Sequence, residues 1–204
     1  MRRESHVRFR EGAGVKLPRA TRLVILVDAH PRHAWLLTAV TKRLREELAR
    51  LHVEVNEEKS RLVDLAKGET VDFLGFTIRR VRSRRGVWWP QQTPQLKKRT
   101  ALLRKLKEVF RSSQSQPVAR VIATINPVLR GWVQYFAVGN ASRCFSYVRN
   151  WVEQKVRRHL MRARNRPGLG WKRWRRRWLY ETLGLYGDYR IRYRRALATA
   201  LPTR

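Results

Sequence analysis

Acidic residues are scarce in this chain, 15 among 204, and beyond Ile78 only four remain: Glu108, Glu153, Glu181 and Asp188. The same stretch carries 32 of the 47 Lys and Arg residues. So few carboxylates cannot neutralise so many cations, and an unpaired cation inside a core costs roughly several kcal/mol. The charge is therefore expected on a surface, where a polyanion is the favoured partner. Cysteine is nearly absent as well. The lone Cys144 excludes an internal disulfide and any cysteine-based zinc finger, and it fits a reducing compartment. Between Arg143 and Phe145 in a helical pattern it reads as a small buried apolar residue. The five histidines are scattered, and His30 and His33 have no acidic or histidine cluster beside them, so no metal site is expected. No apolar run approaches the ~18 residues of a membrane span. The charged N-terminus is not followed by an apolar stretch, so no signal peptide is expected.

What the chain does have is large aromatics set among the charges. Val87-Trp88-Trp89, Arg130-Gly131-Trp132-Val133-Gln134-Tyr135-Phe136 and Trp171-Lys172-Arg173-Trp174 are the main groups. With 43% hydrophobic residues, the chain has enough apolar material for one or two compact units, unlike a disordered basic tail. Composition alone implies a folded nucleic-acid binder.

Residues 1–18 show no period and are expected to be poorly ordered. The β-branched run 23–27, ending at Asp28, predicts a buried strand. Trp35, Leu36, Val40, Leu44, Leu48 and Leu51 recur at helical spacing and predict an amphipathic helix. Short strands are expected at 53–56 and 61–65, then a turn at Lys67-Gly68-Glu69 and a strand at 71–78. Alternation along that strand puts Phe73 and Gly75 on one face and Leu74 and Phe76 on the other. Gly75 marks a close backbone approach. A basic hairpin through Arg84-Arg85-Gly86 leads into Val87-Trp88-Trp89.

Beyond Pro94 the period becomes helical. Leu96, Leu103, Leu106 and Phe110 define one helix face. Pro117 opens another helix, running through Val121, Ile122, Ile125, Leu129, Trp132, Val133 and Phe136, which Pro127 is expected to kink or split. Gly139-Asn140 breaks the chain. Phe145, Val148, Val152, Val156 and Leu160 then predict a long helix, and 166–170 a flexible joint. The expected fold is α+β, with strand, helix and small antiparallel strands followed by a helical domain. The expected boundaries are 1–18, 19–92, 93–188 and 189–204, the last a basic tail.

Three segments in order resemble the C-terminal part of bacterial group II intron-encoded reverse transcriptase/maturases. Glu58-Lys59-Ser60-Arg61-Leu62-Val63 is similar to that family's E-K-[ST]-R-[IVL] signature in the late palm, and Phe73-Leu74-Gly75-Phe76 to its F-L-G-F strand. Residues 130–136, with Trp151-Val152 and residues 155–160 after them, resemble the maturase-specific thumb region. The resemblance covers roughly residues 23–188. It implies that 19–92 are a reverse-transcriptase palm remnant and 93–188 the maturase-specific helical domain of a mobile genetic element's product. One departure is decisive for chemistry. The family has Tyr-Ala-Asp-Asp just before the apolar strand, its aspartates holding catalytic magnesium, whereas this chain reads Arg19-Ala20-Thr21-Arg22. Two-metal catalysis needs those carboxylates, and an arginine there repels the cation. Asp28 is the nearest carboxylate and is expected to cap the turn after the strand. The fingers and early palm are absent from these 204 residues, so a truncated form is expected. The resemblance gives Lys59 a role in protonating pyrophosphate, which is empty without the metals, and makes residues 73–76 a primer grip that needs an intact palm. Hence no catalytic residue, no metal site and no cofactor are expected, with Mg²⁺ entering only through bound RNA.

The candidate RNA-binding residues are Arg130, Arg143, Arg149, Lys155, Arg157, Arg158, Arg162, Arg164, Lys172, Arg173, Arg175, Arg176 and Arg177, with Trp174 as a stacking residue. Trp171, Trp174 and Trp178 follow an i, i+3, i+7 spacing and either dock on the core or stack on bases. Trp132, Tyr135 and Phe136 follow a helical period and read as core packing, with Gly131 beside them. The resemblance implies that the chain binds group II intron RNA in the bacterial cytoplasm, away from membranes. It would assist folding and splicing while the RNA performs the transesterifications. Two alternatives stay open: a C-terminal piece of a split reverse transcriptase, active only with an N-terminal partner, or a non-functional remnant.

Overall fold

The structure, a computed structural model, describes residues 24–27, 30–53, 55 and 60–192. It divides into two compact units between Ser60 and Arg61. The expectations for 1–18, for Arg19-Ala20-Thr21-Arg22, for Asp28, for Lys59 and for the tail beyond Arg192 lie outside the described residues.

In the first unit the predicted amphipathic helix forms as α1 (Ala34–Arg50), entered through a 3₁₀ turn at Pro31–His33. His30 Nδ1 accepts the Arg32 N–H at 3.2 Å and so satisfies one free donor of that turn. On the polar side Glu47 accepts from Arg50 at 3.2 Å. None of the residues of α1 is buried, and Trp35 is 64% exposed. The strand expected at 23–27 is not there: residues 24–27 have no regular structure, and Leu26 is largely exposed. An apolar β-branched run becomes a strand only when a neighbour completes its ladder, and none does so among the described residues. Val53 and Val55, expected in a strand, likewise lie in none.

The second unit is α+β. The strand expected at 61–65 is replaced by irregular chain and a 3₁₀ turn at Leu65–Lys67. Asp64 Oδ1 accepts the Ala66 N–H at 2.8 Å, Glu69 accepts the Asp64 N–H at 2.8 Å, and Gly68 closes the turn at φ +86°. These local side-chain bonds offer the backbone an alternative to a sheet ladder.

Three antiparallel strands follow in order: β1 (Thr70–Phe73), β2 (Phe76–Arg82) and β3 (Trp88–Pro94). The single strand expected over 71–78 is instead a hairpin. Leu74 (φ +46°) and Gly75 (φ +82°) form its two-residue turn, and positive φ at both positions is what a type I′ turn requires. Phe73 therefore lies directly opposite Phe76 on the same face, where simple alternation had separated them. The second hairpin turns through Ser83–Val87 as expected, with the Ser83 N–H donating to the Val87 carbonyl at 2.8 Å and Gly86 at φ +81°.

The helices are α2 (Leu96–Ser112), α3 (Val118–Phe136), α4 (Ser142–Ala163) and the short α5 (Arg176–Glu181). On α2 the buried stripe is Leu102, Leu106 and Phe110. Leu96 is exposed and Leu103 half-buried, so the face is rotated from the one the sequence suggested. Pro117 stands just before α3, and the helix continues through Pro127 without splitting. The carbonyl four residues back belongs to Ala123, which is exposed, so water can supply the donor that proline lacks. Ile125 and Leu129 bury the turns on either side. Asn126 adds a clasp: its Nδ2 donates to the Gly184 carbonyl and its Oδ1 accepts from Tyr186 N, both at 2.8 Å.

On α4 the predicted stripe of Phe145, Val148, Val152, Val156 and Leu160 is buried throughout. Stripes from α2, α3 and α4 form one core, over which Trp174, Leu179 and Leu185 fold. Each fully buried Leu or Ile contributes roughly 1.5–3 kcal/mol. A second cluster, Val133, Phe136, Ala141 and Phe145, receives Phe76 from β2 and so fastens the sheet to the helices. Cys144 is half-buried, with its thiol pKa raised by burial against the opposing charge of Arg99. No helix among the described residues is long and apolar enough to cross a membrane.

Candidate nucleic-acid interface

The buried stripe of α4 repeats every three or four residues, so residues placed two further along point roughly 200° away. Arg158 and Arg162 occupy such places relative to Val156 and Leu160, and both are exposed. With Arg166 beyond the helix they form an i, i+4, i+8 row. Arg158, Arg162 and Arg166 line an open hollow of about 580 Å³ with Met161, Asn165 and Gly168. The last carbonyls of α4 add partial negative charge at this end, which favours cations there. Lys155, half-buried with its ammonium 5.2 Å from the Trp151 ring centroid, belongs to the same group. Its pKa is lowered from 10.5, first by burial and then by the charges of Arg158, Lys107 and Arg162. Lys107 comes from α2, so two helices contribute to one cation cluster. Nothing in the spacing of either helix pointed to Lys107, and Arg166 was read only as part of a joint.

Other candidates divide by burial. Arg130, Arg143, Arg164, Lys172, Arg173, Arg175, Arg176 and Arg177 are exposed. Arg177 pairs with Glu181 at 2.7 Å, and the Arg164 guanidinium lies 5.5 Å from the Trp174 ring centroid. Arg149 is half-buried, with its Nε closed off and unbonded.

Two candidates are withdrawn from the surface. Arg157 is 1% exposed: its Nη1 meets Glu153 Oε2 at 3.3 Å, its Nε donates to the Trp174 carbonyl at 2.9 Å, and its guanidinium lies 4.1 Å from the Trp171 ring centroid. Trp174 is 4% exposed and belongs to the core. Trp171 is exposed and Trp178 half-buried, so the three tryptophans do not form one platform. The physical reason is Glu153, a fully buried carboxylate that draws the segment after α4 onto the helix. It accepts from Arg176 Nε and Tyr180 Oη, both at 2.8 Å, as well as from Arg157. Burial and the Glu153 bond both raise the Tyr180 pKa, which keeps the phenol protonated as a donor. Gly170 makes the fold-back feasible: at φ +68°, a Cβ there would stand 2.5 Å from the Trp174 ring.

Two motifs far apart in sequence meet at the sheet. Tyr135 Oη donates to the Leu74 carbonyl at 2.7 Å, and the Phe76 and Phe136 ring centroids are 5.0 Å apart. Gly75 is buried, but the nearest neighbour of a Cβ there would be the Phe136 side chain at an ordinary 3.4 Å, so what calls for glycine is the turn's φ of +82° and not the close backbone approach expected. Phe136 is buried and Trp132 half-buried, as core packing predicts, whereas Tyr135 is exposed and works through its hydroxyl. Gly131 is exposed, with open space where a Cβ would stand.

Fold and charge together define a basic helical module with a small antiparallel sheet docked against it. Residues 99–178 match the family model of the group II intron, maturase-specific domain. Over those residues the chain is thus similar to the C-terminal part of a group II intron maturase. No curated protein matches the chain.

Proposed function

We propose that the chain binds group II intron RNA and favours its splicing-competent fold, acting as a maturase without contributing a catalytic side chain. The observation that carries this reading is that the cation cluster of Lys107, Lys155, Arg158 and Arg162 lies inside the segment that matches the maturase-specific domain. Phosphate contacts on such a cluster supply affinity and a steep salt dependence. Preference for one RNA must come from the arrangement of the contacts against a folded shape. The chain acts where its RNA is made, in the bacterial cytoplasm, and any Mg²⁺ it meets arrives with the RNA. It has no polymerase activity of its own, because Arg19-Ala20-Thr21-Arg22 stands where the family's metal-binding aspartates would be.

A second reading, a piece of a split reverse transcriptase, is favoured by one observation. The hairpin bearing Phe73-Leu74-Gly75-Phe76 is held by Tyr135 and Phe136, as a working palm–thumb junction would need. Affinity of the full chain for group II intron RNA and for a random RNA of equal length, across a salt series, tests the first reading. A clear preference for the intron RNA is expected; equal affinity overturns it. Primer extension by the chain alone should give no product. Extension appearing only with a supplied fingers and palm fragment would move the assignment to the split enzyme.

A further inference from the structure

The β2–β3 hairpin lies outside the matched segment and shares no residue with the α4 cluster, and it has an unusual surface. No acidic residue occurs between Asp72 and Glu108, yet the hairpin carries Arg79, Arg80, Arg82, Arg84 and Arg85. Its two tryptophans remain half open to solvent, Trp88 at 52% and Trp89 at 49%. Adjacent strand residues point to opposite faces, so each face of the ribbon has one tryptophan. On one face Trp88 lies directly opposite Arg82, and the Arg80 guanidinium sits 4.5 Å from its ring centroid. On the other face Trp89 lies opposite Val81, with Arg79 two residues along β2, where its Nε donates to Gln91 Oε1 at 2.7 Å. Arg82 is also fixed in place, its Nε donating to the Gly86 carbonyl at 3.1 Å.

Exposed aromatics on a cationic ribbon form an interaction surface. We infer that the β2–β3 hairpin is a separate binding site for unpaired RNA, with the Trp88 ring face opposite Arg80 as a base-stacking platform and Arg82, Arg84 and Arg85 as phosphate contacts. Base stacking uses the ring face, and arginines alongside neutralise the backbone. Arginine and tryptophan also suit a lipid headgroup layer. A planar bilayer, however, engages one face of a ribbon, whereas here both faces carry an aromatic and an arginine. A loop or bulge of RNA can wrap such a ribbon from both sides. The site stands on its own geometry, whether or not the RNA bound at α4 is an intron.

The test uses the full chain, wild type and Trp88→Ala, with three probes: an unpaired adenosine 12-mer, a fully paired RNA duplex with the same number of phosphates, and anionic phospholipid vesicles. Trp88→Ala should weaken the unpaired oligomer by about 5- to 150-fold. Duplex affinity and melting temperature should stay close to wild type, and Trp88→Phe should recover part of the loss. Equal losses for oligomer and duplex, or no loss for either, overturn the site. Loss of vesicle binding with RNA affinity intact reassigns the ribbon to membranes. Should Trp88→Ala lower the melting temperature, ultraviolet cross-linking of the wild-type chain to the oligomer decides: an adduct within residues 80–89 supports the site, and its absence there overturns it.

Discussion

Arg157 Nη1 lies 3.3 Å from Glu153 Oε2, one helical turn away on α4, and the two side chains are 2% and 0% exposed. Removing Arg157 leaves Arg176 as the remaining cation on the buried Glu153 carboxylate and strips the buried Trp174 carbonyl of its donor, at a cost of about 1–3 kcal/mol. Arg157→Ala should therefore lower the melting temperature sharply while leaving the salt dependence of RNA binding by the folded chain unchanged. Arg158, next in sequence but exposed in the cation cluster, should behave in the opposite way. Arg158→Ala should change stability by less than about 0.5 kcal/mol and reduce the salt slope by about one. Thermal melts beside salt-dependent affinities separate the two arginines.

Leu74 holds φ +46° at the first position of a turn that favours Asn-Gly. A branched side chain in the left-handed region costs roughly 1–2 kcal/mol, and Leu74 is exposed, so little packing offsets that cost. Leu74→Asn should stabilise the chain by about 1 kcal/mol, read as a higher denaturant midpoint with an unchanged slope. A lower midpoint would show that the leucine contributes contacts worth more than its backbone strain.

Two glycines should respond with opposite signs. Gly131 sits inside α3 with open space around its missing Cβ. Gly131→Ala should stabilise by about 0.5–1 kcal/mol through helix propensity. Gly139 has φ +84°, and a Cβ there would stand 2.9 Å from the Gln92 carbonyl oxygen. That same oxygen accepts the Asn140 N–H at 2.7 Å, so it is not free to yield. Gly139→Ala should destabilise by about 1–3 kcal/mol. Chemical denaturation of the two variants checks both signs.

Lys155 gives the cluster a pH signature. Its folded-state pKa lies below the ordinary 10.5, chiefly through burial and then through Arg158, Lys107 and Arg162. A lysine lowered on folding opposes folding while it is charged. That penalty is present below its folded pKa and is relieved as pH rises from that value towards 10.5. RNA acts the other way: its phosphates favour the charged amine and raise the pKa in the complex. Affinity should thus be greatest below the free-chain pKa and decline as pH rises through it. Comparing wild type with Lys155→Gln from neutral pH up to 10.5 isolates this lysine from the other titrating groups. Identical affinity profiles in the two proteins would remove Lys155 from the interface.

Much of the helical half was legible because periodicity is a local property. The α4 stripe from Phe145 to Leu160 needs only its own spacing to be read, and the same holds for α1. Residues 73–76 were misread because an alternating apolar run looks the same whether it continues as a strand or folds at a two-residue turn. Leucine at position 74 gives none of the Asn or Gly signal that marks such turns. Arg157 was illegible for another reason. It looks like one more cation in a basic helix, and what buries it arrives from residues 171–180, after an intervening loop. The cluster partner Lys107 was hidden because its place depends on how α2 packs beside α4.

The bond from Tyr135 to Leu74 spans 61 residues, and the reciprocal bonds between Gln92 and Asn140 span 48. Between them they rivet the sheet to α3 and to the loop after it, so the stretch around 92–95 is not a perforation along which the protein can be torn. A polypeptide starting just after the sheet would display the rings of Tyr135 and Phe136 that now meet Phe76, become sticky, and lose affinity for reasons unrelated to its charge. Mapping of RNA contacts on this protein is therefore better served by point substitutions than by scissors.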